Sequence, residues 1–141
     1  MTFLLDTDVV SELRKPPGVV DPQVLDWSER HPARDLYLSV VTILELELGV
    51  ARVERRDRHQ AAVLRQWMTS GVLAGFDGRI LPVSLEVARQ AAHLHVPDLH
   101  PERDAYIAAT AGVHGLTVVT RNLKDFEPTG VAALDPWAYR Q

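Results

Sequence analysis

The sequence predicts an α/β fold in which a parallel sheet of about five strands lies between layers of helices. Short apolar runs alternate with longer segments whose apolar residues recur every three to four positions, as in strands that alternate with helices. The apolar runs are continuous, which is typical of strands buried on both faces of a parallel sheet. Strands joined through a helix in this way are connected by right-handed crossovers.

The first half of the chain alternates two strands with three helices. Residues 2–5 form an apolar run that ends in Asp6, and residues 36–40 form the second such run. A short helix over 9–13 is stopped by Pro16-Pro17-Gly18. Pro22 suits the first turn of a second helix, which ends near His31, and from Thr42 a long helix runs to the basic stretch 52–58.

The second half continues the alternation. A helix through Ala61, Leu64 and Met68 ends in the glycine-containing stretch 71–78, and residues 80–83 form the third strand. Proline at position 82 indicates the end or an edge of that strand. Helices are predicted over 85–95 and 101–113, and strands over 116–119 and 131–134. Since no repeat or linker divides the chain, we expect a single domain over residues 1–141.

Composition narrows the functional classes. The chain has 141 residues, of which 46% are hydrophobic and 24% charged, so it is long enough to bury a sizeable core. It has no cysteine, which excludes a thiolate metal site, a cysteine nucleophile and a disulfide scaffold. No signal peptide or membrane-spanning run of roughly 18–20 apolar residues is visible, so we expect a soluble, cytoplasmic protein with no membrane partner.

The net charge of −4 argues against a protein that coats nucleic acid through phosphate neutralisation alone. It is compatible with an enzyme that grips a phosphodiester through a metal ion, because such a site is itself built from carboxylates. No zinc-type histidine spacing, nucleophile elbow or glycine-rich phosphate loop occurs.

Four polar clusters lie at predicted strand ends or helix starts. They are Asp6-Thr7-Asp8 and the segments 39–45, 101–104 and 120–126. Ligand sites of parallel sheets lie beyond the carboxyl ends of the strands, so we expect these clusters to converge at one edge. Carboxylates at that edge are typical ligands of Mg²⁺.

Each cluster also has a purely structural explanation. Asp6 or Asp8 would cap the helix that follows, residues 42–45 fit a capping box, and residues 122–125 can cap a short turn. Asp104 is harder to explain in this way, because it stands where its helix becomes apolar. An unpaired carboxylate there costs free energy, which favours a functional role.

Taken together and in this order, the clusters resemble the motifs of PIN-domain proteins, and specifically of VapC-type toxins of bacterial type II toxin–antitoxin pairs. The motifs are residues 4–12, 39–49, 104–111 and 120–126, and they span nearly the whole chain. The resemblance implies a PIN-like fold and a Mg²⁺- or Mn²⁺-dependent endoribonuclease acting on tRNA or other structured RNA. It also implies a homodimer that a cognate VapB-type antitoxin inhibits in a higher assembly.

The resemblance carries site residues over by position. Asp6, Glu45 and Asp104 match the three main acidic residues of the family. The family often has a fourth acidic residue directly after a Thr-Arg pair, where this chain has Asn122, and Asp125 one turn further on is the replacement. The implied catalytic residues are therefore Asp6, Glu45, Asp104 and Asp125, with Asp6 and Asp104 as metal ligands.

Substrate contacts are expected beside these acids, in the segment Thr120-Arg121-Asn122.

Two further groups of residues each allow two interpretations. Trp27, Trp67 and Met68 lie at apolar helical positions typical of a core, and any that is exposed would line a groove for an apolar antitoxin segment. The arginines at positions 52, 55, 56 and 58 fit a solvated face, or a surface that attracts RNA or an acidic antitoxin.

Two alternatives to the nuclease stay open. Residues 3–10 also resemble the opening motif of haloacid-dehalogenase-type phosphatases, in which Asp6 would be the nucleophile and Asp8 a general acid. Against this, the acidic pair of that superfamily is missing. The second alternative is a catalytically weak PIN-like module that only binds its antitoxin, an interpretation that Asn122 permits.

Overall fold

A five-stranded parallel sheet forms the centre of the computed structural model, which describes residues 1–140. The strands are β1 (Phe3–Leu5), β2 (Leu36–Ser39), β3 (Ile80–Leu81), β4 (Thr117–Val119) and β5 (Ala133–Leu134). Their order is β3-β2-β1-β4-β5, and every neighbouring pair is parallel. The predicted α/β architecture with about five strands is confirmed.

Helices connect and cover the strands. They are α1 (Thr7–Leu13), α2 (Pro22–Glu29), α3 (Val40–Glu54), α4 (Arg58–Trp67), α5 (Leu85–Leu94), α6 (Glu102–His114) and α7 (Leu123–Phe126). A π-helical segment, Met68–Leu73, extends α4, and short 3₁₀ turns occupy Ala33–Asp35, Glu127–Thr129 and Pro136–Ala138. No helix within residues 1–140 is both long enough and apolar enough to cross a bilayer.

The start of α3 differs from the prediction. β2 ends at Ser39, whose side chain caps α3 by accepting a hydrogen bond from the backbone N–H of Val41 at 3.0 Å. The helix therefore begins at Val40, inside the predicted strand, and Thr42 lies within its first turn. The capping-box explanation of Glu45 is wrong, because the cap position is already filled three residues earlier. Glu45 is free for another role.

Both faces of the sheet are buried, and side chains alternate between them as the strand period requires. Phe3 and Leu5 belong to one core cluster, beneath α1, α2 and the α3–α4 pair. Leu4, between them, belongs to a second cluster on the opposite face, with Val118 and Ile107 of α6. Leu4 is completely buried, so β1 is the centre of the fold.

The order of the strands fixes where a site can form. From β1 the chain builds β2 and β3 on one side, and then returns to add β4 and β5 on the other. β1 and β4 thus flank the point at which strand order reverses, where open parallel sheets bind ligands. The residues that directly follow these strands are Asp6 and Thr120.

Small side chains bring α6 close to the sheet. Ala108 and Ala111 are buried in the core cluster that contains Leu4 and Val118 of the sheet, and their small side chains allow the helix backbone a close approach. The helix ends at Gly115, whose φ of +67° is the left-handed conformation that glycine adopts most readily at a helix end. Asp104, in the first turn, is carried by this packing to the same edge as Asp6.

Candidate active site

Asp6 is the most firmly held carboxylate of the site. It lies directly after β1 and is only 7% exposed. Its Oδ1 accepts a hydrogen bond from the backbone N–H of Thr7 at 2.8 Å, which also caps α1, and its Oδ2 accepts one from the hydroxyl of Thr120 at 2.8 Å. A carboxylate has about four acceptor positions, so both oxygens keep lone pairs for a further ligand.

Glu45 is held by a residue that sequence reasoning missed. The hydroxyl of Thr7 donates to Glu45 Oε1 at 2.6 Å and lies 3.3 Å from the hydroxyl of the buried Thr42. On the other side, Arg103 Nη1 lies 3.7 Å from Glu45 Oε2. Thr7 and Glu45 are 38 positions apart, so no local pattern in the sequence could have revealed this contact.

The four predicted acidic residues lie close enough to affect one another. Burial, together with the negative charges of Asp6, Asp125 and Glu45, raises the pKa of Asp104 to about 6. Burial also raises the pKa of Asp6, assisted by the charges of Glu45 and Asp125 and opposed by the hydrogen bonds from Thr120 and Thr7. The structure therefore gathers Asp6, Glu45, Asp104 and Asp125 at one edge of the sheet.

Asp8 ties this edge to the loop after β4. Its Oδ2 accepts hydrogen bonds from the backbone N–H of Arg121 and from Asn122 Nδ2, both at 3.3 Å. Its Oδ1 is buried without a hydrogen-bond partner among the described residues. Burial and the neighbouring charge of Asp6 raise the pKa of Asp8 to about 7, although the backbone N–H groups of Arg121 and Val9 and the charge of Arg121 lower it.

The segment predicted to contact substrate divides into two kinds of residue. Thr120 is completely buried, donates to Asp6 and accepts from the backbone N–H of Asn122 at 3.0 Å. A phosphate approaching from solvent does not reach that hydroxyl, so its position does not support a substrate contact. Arg121 and Asn122 are exposed. The guanidinium carbon of Arg121 lies 4.9 Å from the centre of the Trp137 ring, which restricts the direction of the arginine.

The donor set fits a divalent cation that keeps part of its water shell. Within residues 1–140, the contact of Arg103 with Glu45 is the only ion pair that any of the four acids makes. No three carboxylates or imidazoles in that range stand close enough to enclose an ion. Mg²⁺ is commonly bound through one or two carboxylates and several waters, so an open group of carboxylates with a single ion pair among them suits it.

The chain is similar in sequence to proteins of one known family. The family model described as PIN domain matches residues 3–130. A VapC ribonuclease, Y4jK of Sinorhizobium fredii, is 35% identical over 140 residues, which is 96% of this chain and 97% of that protein. Toxin FitB of Neisseria gonorrhoeae is 38% identical over 141 residues, covering 96% of this chain and 98% of that protein.

Solved structures of toxin–antitoxin complexes are also similar to this chain. The crystal structure of FitAcB from Neisseria gonorrhoeae superposes with a TM-score of 0.87 at 36% identity, and the match covers 98% of this chain and 100% of that one. Other matched structures are VapBC and toxin–antitoxin complexes, some of them bound to DNA.

Without metal, we expect the protein to lose stability as pH rises. A raised pKa means that the folded state binds the proton more tightly than the unfolded state does. The resulting stabilisation is complete below a pH of about 4 and is lost as pH rises through the pKa values of Asp104, about 6, and Asp8, about 7. The variant Asp104→Asn lacks one of these groups, so in EDTA at a pH of about 8 it should melt at a higher temperature than the wild type.

Thermal melting followed by circular dichroism across this pH range measures the effect. Asp77→Asn is the matched control, because Asp77 is exposed in the segment before β3, at the opposite edge of the sheet. Its difference from wild type should stay small at every pH. An Asp104→Asn protein that melts at or below the wild-type temperature at alkaline pH would contradict the expectation.

Proposed function

The chain belongs to the PIN domain family, and from that premise we propose that it is a metal-dependent endoribonuclease, the toxin of a toxin–antitoxin pair. The observation that carries the proposal is the group of four carboxylates at the switch point of the sheet, Asp6, Glu45, Asp104 and Asp125, of which only Glu45 forms an ion pair within residues 1–140. Support also comes from a VapC ribonuclease that is 35% identical over nearly all of both chains. The substrate in this proposal is tRNA or another structured RNA.

In this proposal Asp6 and Asp104 hold the ion, Mg²⁺ or Mn²⁺, and Glu45 contacts it through water. When bound, such an ion lowers the pKa of a coordinated water and offsets charge that develops on phosphoryl oxygens. Thr120 and the N–H of Thr7 fix Asp6, while the Thr7 hydroxyl fixes Glu45, so the carboxylates are oriented before substrate arrives.

Arg121 is the side chain we assign to the phosphate beside the cleaved bond. It is exposed, it follows β4 at the catalytic edge, and its stacking on Trp137 keeps it near the site. Asn122 lies next to it, with its amide turned to Asp8. Thr120 we assign to the positioning of Asp6, in place of the predicted contact with substrate. Asp125 completes the negative lining, since its charge raises the pKa of both Asp6 and Asp104.

The partner in this proposal is a VapB-type antitoxin, and an apolar cleft offers a place for one of its segments. Of the three side chains considered from sequence, Trp27 and Met68 are core residues, each 2% exposed, whereas Trp67 is only partly buried. Trp67 lines a surface cleft of about 170 Å³; the other lining residues are Leu5, Val10, Leu13, Arg14, Gly71, Val72 and Phe76.

The glycine at position 71 permits this arrangement. A Cβ there would lie 3.0 Å from Cδ1 of the Trp67 ring, closer than side chains normally pack. The indole therefore lies over the π-helical segment and forms a wall of the cleft. Apolar grooves of this kind receive amphipathic or extended partner segments. The homodimer, and its higher assembly with antitoxin, are part of the same proposal.

RNA cleavage tests the proposed activity directly. Purified, antitoxin-free protein is incubated with total bacterial tRNA and Mg²⁺ or Mn²⁺. We expect discrete products that disappear with EDTA and in Asp104→Asn, because that substitution removes a charged ligand of the ion. Asp77→Asn should cleave as the wild type does.

The same preparation separates the alternatives. Hydrolysis of a small phosphate ester that is lost in Asp8→Asn, without RNA cleavage, would replace the nuclease with a phosphatase that uses Asp6 and Asp8. Binding of antitoxin without either activity would leave a partner-binding module.

Truncation of the cleft should weaken the antitoxin complex. We expect Trp67→Ala to lower affinity for the antitoxin, encoded by the adjacent gene, by roughly 30-fold or more, because a buried interface tryptophan commonly contributes about 2 kcal/mol or more. Titration calorimetry measures the change. Val63→Ala is the control, since Val63 is on the same helix but 52% exposed, and its affinity should be unchanged. Equal affinities for both variants would place the antitoxin elsewhere.

A further inference from the structure

The arginine cluster at the end of α3 is not neutralised by its surroundings. Arg52, Arg55, Arg56 and Arg58 are all exposed, and none forms an ion pair with a carboxylate among residues 1–140. The adjacent acid, Glu54, is already paired with Arg65 at 2.8 Å. A group of free guanidinium charges therefore stands out on a chain whose net charge is −4.

Part of this cluster lies on the same face of α3 as Glu45. Arg52 is seven residues after Glu45, which is two helical turns, so the two side chains project from the same side about 10 Å apart along the axis. Arg56 follows in the turn that ends the helix. Between Glu45 and Arg52 lies Gly49, which is exposed and where a Cβ would meet nothing within 4 Å.

An open strip thus runs from the catalytic carboxylates to the arginines. Three of its residues are charged, Glu45, Arg52 and Arg56, and the partly buried Leu48 is the apolar residue between them. Guanidinium groups bind phosphate oxygens through paired hydrogen bonds. A distance of about 10 Å corresponds to roughly three stacked nucleotides at about 3.4 Å per nucleotide.

We propose that Arg52 and Arg56 bind backbone phosphates of the RNA substrate on this strip. Arg52 would bind a phosphate about three nucleotides from the bond that is cleaved, and Arg56 would bind one further along the RNA. The proposal rests on the ribonuclease function proposed above. The catalytic edge itself is negatively charged and repels RNA until a cation binds, so attraction of the substrate requires positive charge elsewhere on the chain. The strip supplies this positive charge on the same helix face as Glu45.

The salt dependence of RNA binding tests the proposal. Asp104→Asn protein in EDTA, which cannot cleave, is titrated against fluorescein-labelled bulk tRNA at several salt concentrations, with anisotropy as the readout. Each phosphate contact that is lost reduces the slope of log Kd against log salt by about 1. Adding Arg52→Gln and Arg56→Gln should therefore reduce the slope by about 2 and weaken binding by about tenfold or more at low salt.

Two matched variants control for folding and for general charge. Arg52→Lys with Arg56→Lys keeps the charges and should retain most of the slope. Arg89→Gln removes an exposed arginine from α5, which lies away from the strip, and should leave the slope unchanged. An unchanged slope in the glutamine double variant, or an equal loss in Arg89→Gln, would overturn the proposal. So would displacement of the tRNA by polyglutamate at equal charge concentration, because the arginines would then attract any polyanion.

The salt slope and the cleavage of tRNA are separate measurements, so they test the strip and the nuclease separately. If the wild type cleaves tRNA while the slope does not depend on Arg52 and Arg56, the strip is refuted and the nuclease stands. If the slope depends on them and the wild type cleaves no RNA, the phosphate contacts stand without the nuclease.

Discussion

The mutual repulsion of carboxylates held partly out of water is the constraint on which the rest of this structure depends. Burial raises the pKa of both Asp6 and Asp104, the charges of Glu45 and Asp125 raise both further, and the charge of Asp6 also raises the pKa of Asp104. Folding against this repulsion requires fixed hydrogen bonds, which Thr7 and Thr120 provide. The repulsion thus lowers the stability of the fold at this edge of the sheet, as is common at functional sites.

The fold achieves this convergence through three separate features of the chain. The reversal of strand order sets the ends of β1 and β4 side by side, which joins Asp6 to Thr120. The cap at Ser39 starts α3 early enough to turn Glu45 toward Thr7. The alanine-rich face of α6 lets Asp104 approach the sheet. None of these features takes part in a reaction, yet each determines the position of a carboxylate.

The sheet and the convergence of the acids at one edge could be predicted because both leave local patterns: continuous apolar runs mark the strands, and polar residues directly after them mark the edge. Sequence reasoning missed what depends on contacts between distant segments. Thr7 has no local signature, since its partner is 38 positions away. Thr42 fits a capping box, but Ser39 takes the cap first. Trp27, Trp67 and Met68 look alike in sequence, and only packing separates the buried Trp27 and Met68 from the partly buried Trp67.

We infer that these carboxylates form a binding site for a divalent cation, and equilibrium binding of Mn²⁺ is the measurement that tests this inference. Titration calorimetry of the metal-free protein at neutral pH should detect saturable Mn²⁺ binding. Asp6→Asn should abolish that binding, whereas Asp77→Asn should leave it intact. Absence of binding to the wild type, or equal binding to Asp6→Asn, would contradict a cation site at this edge of the sheet.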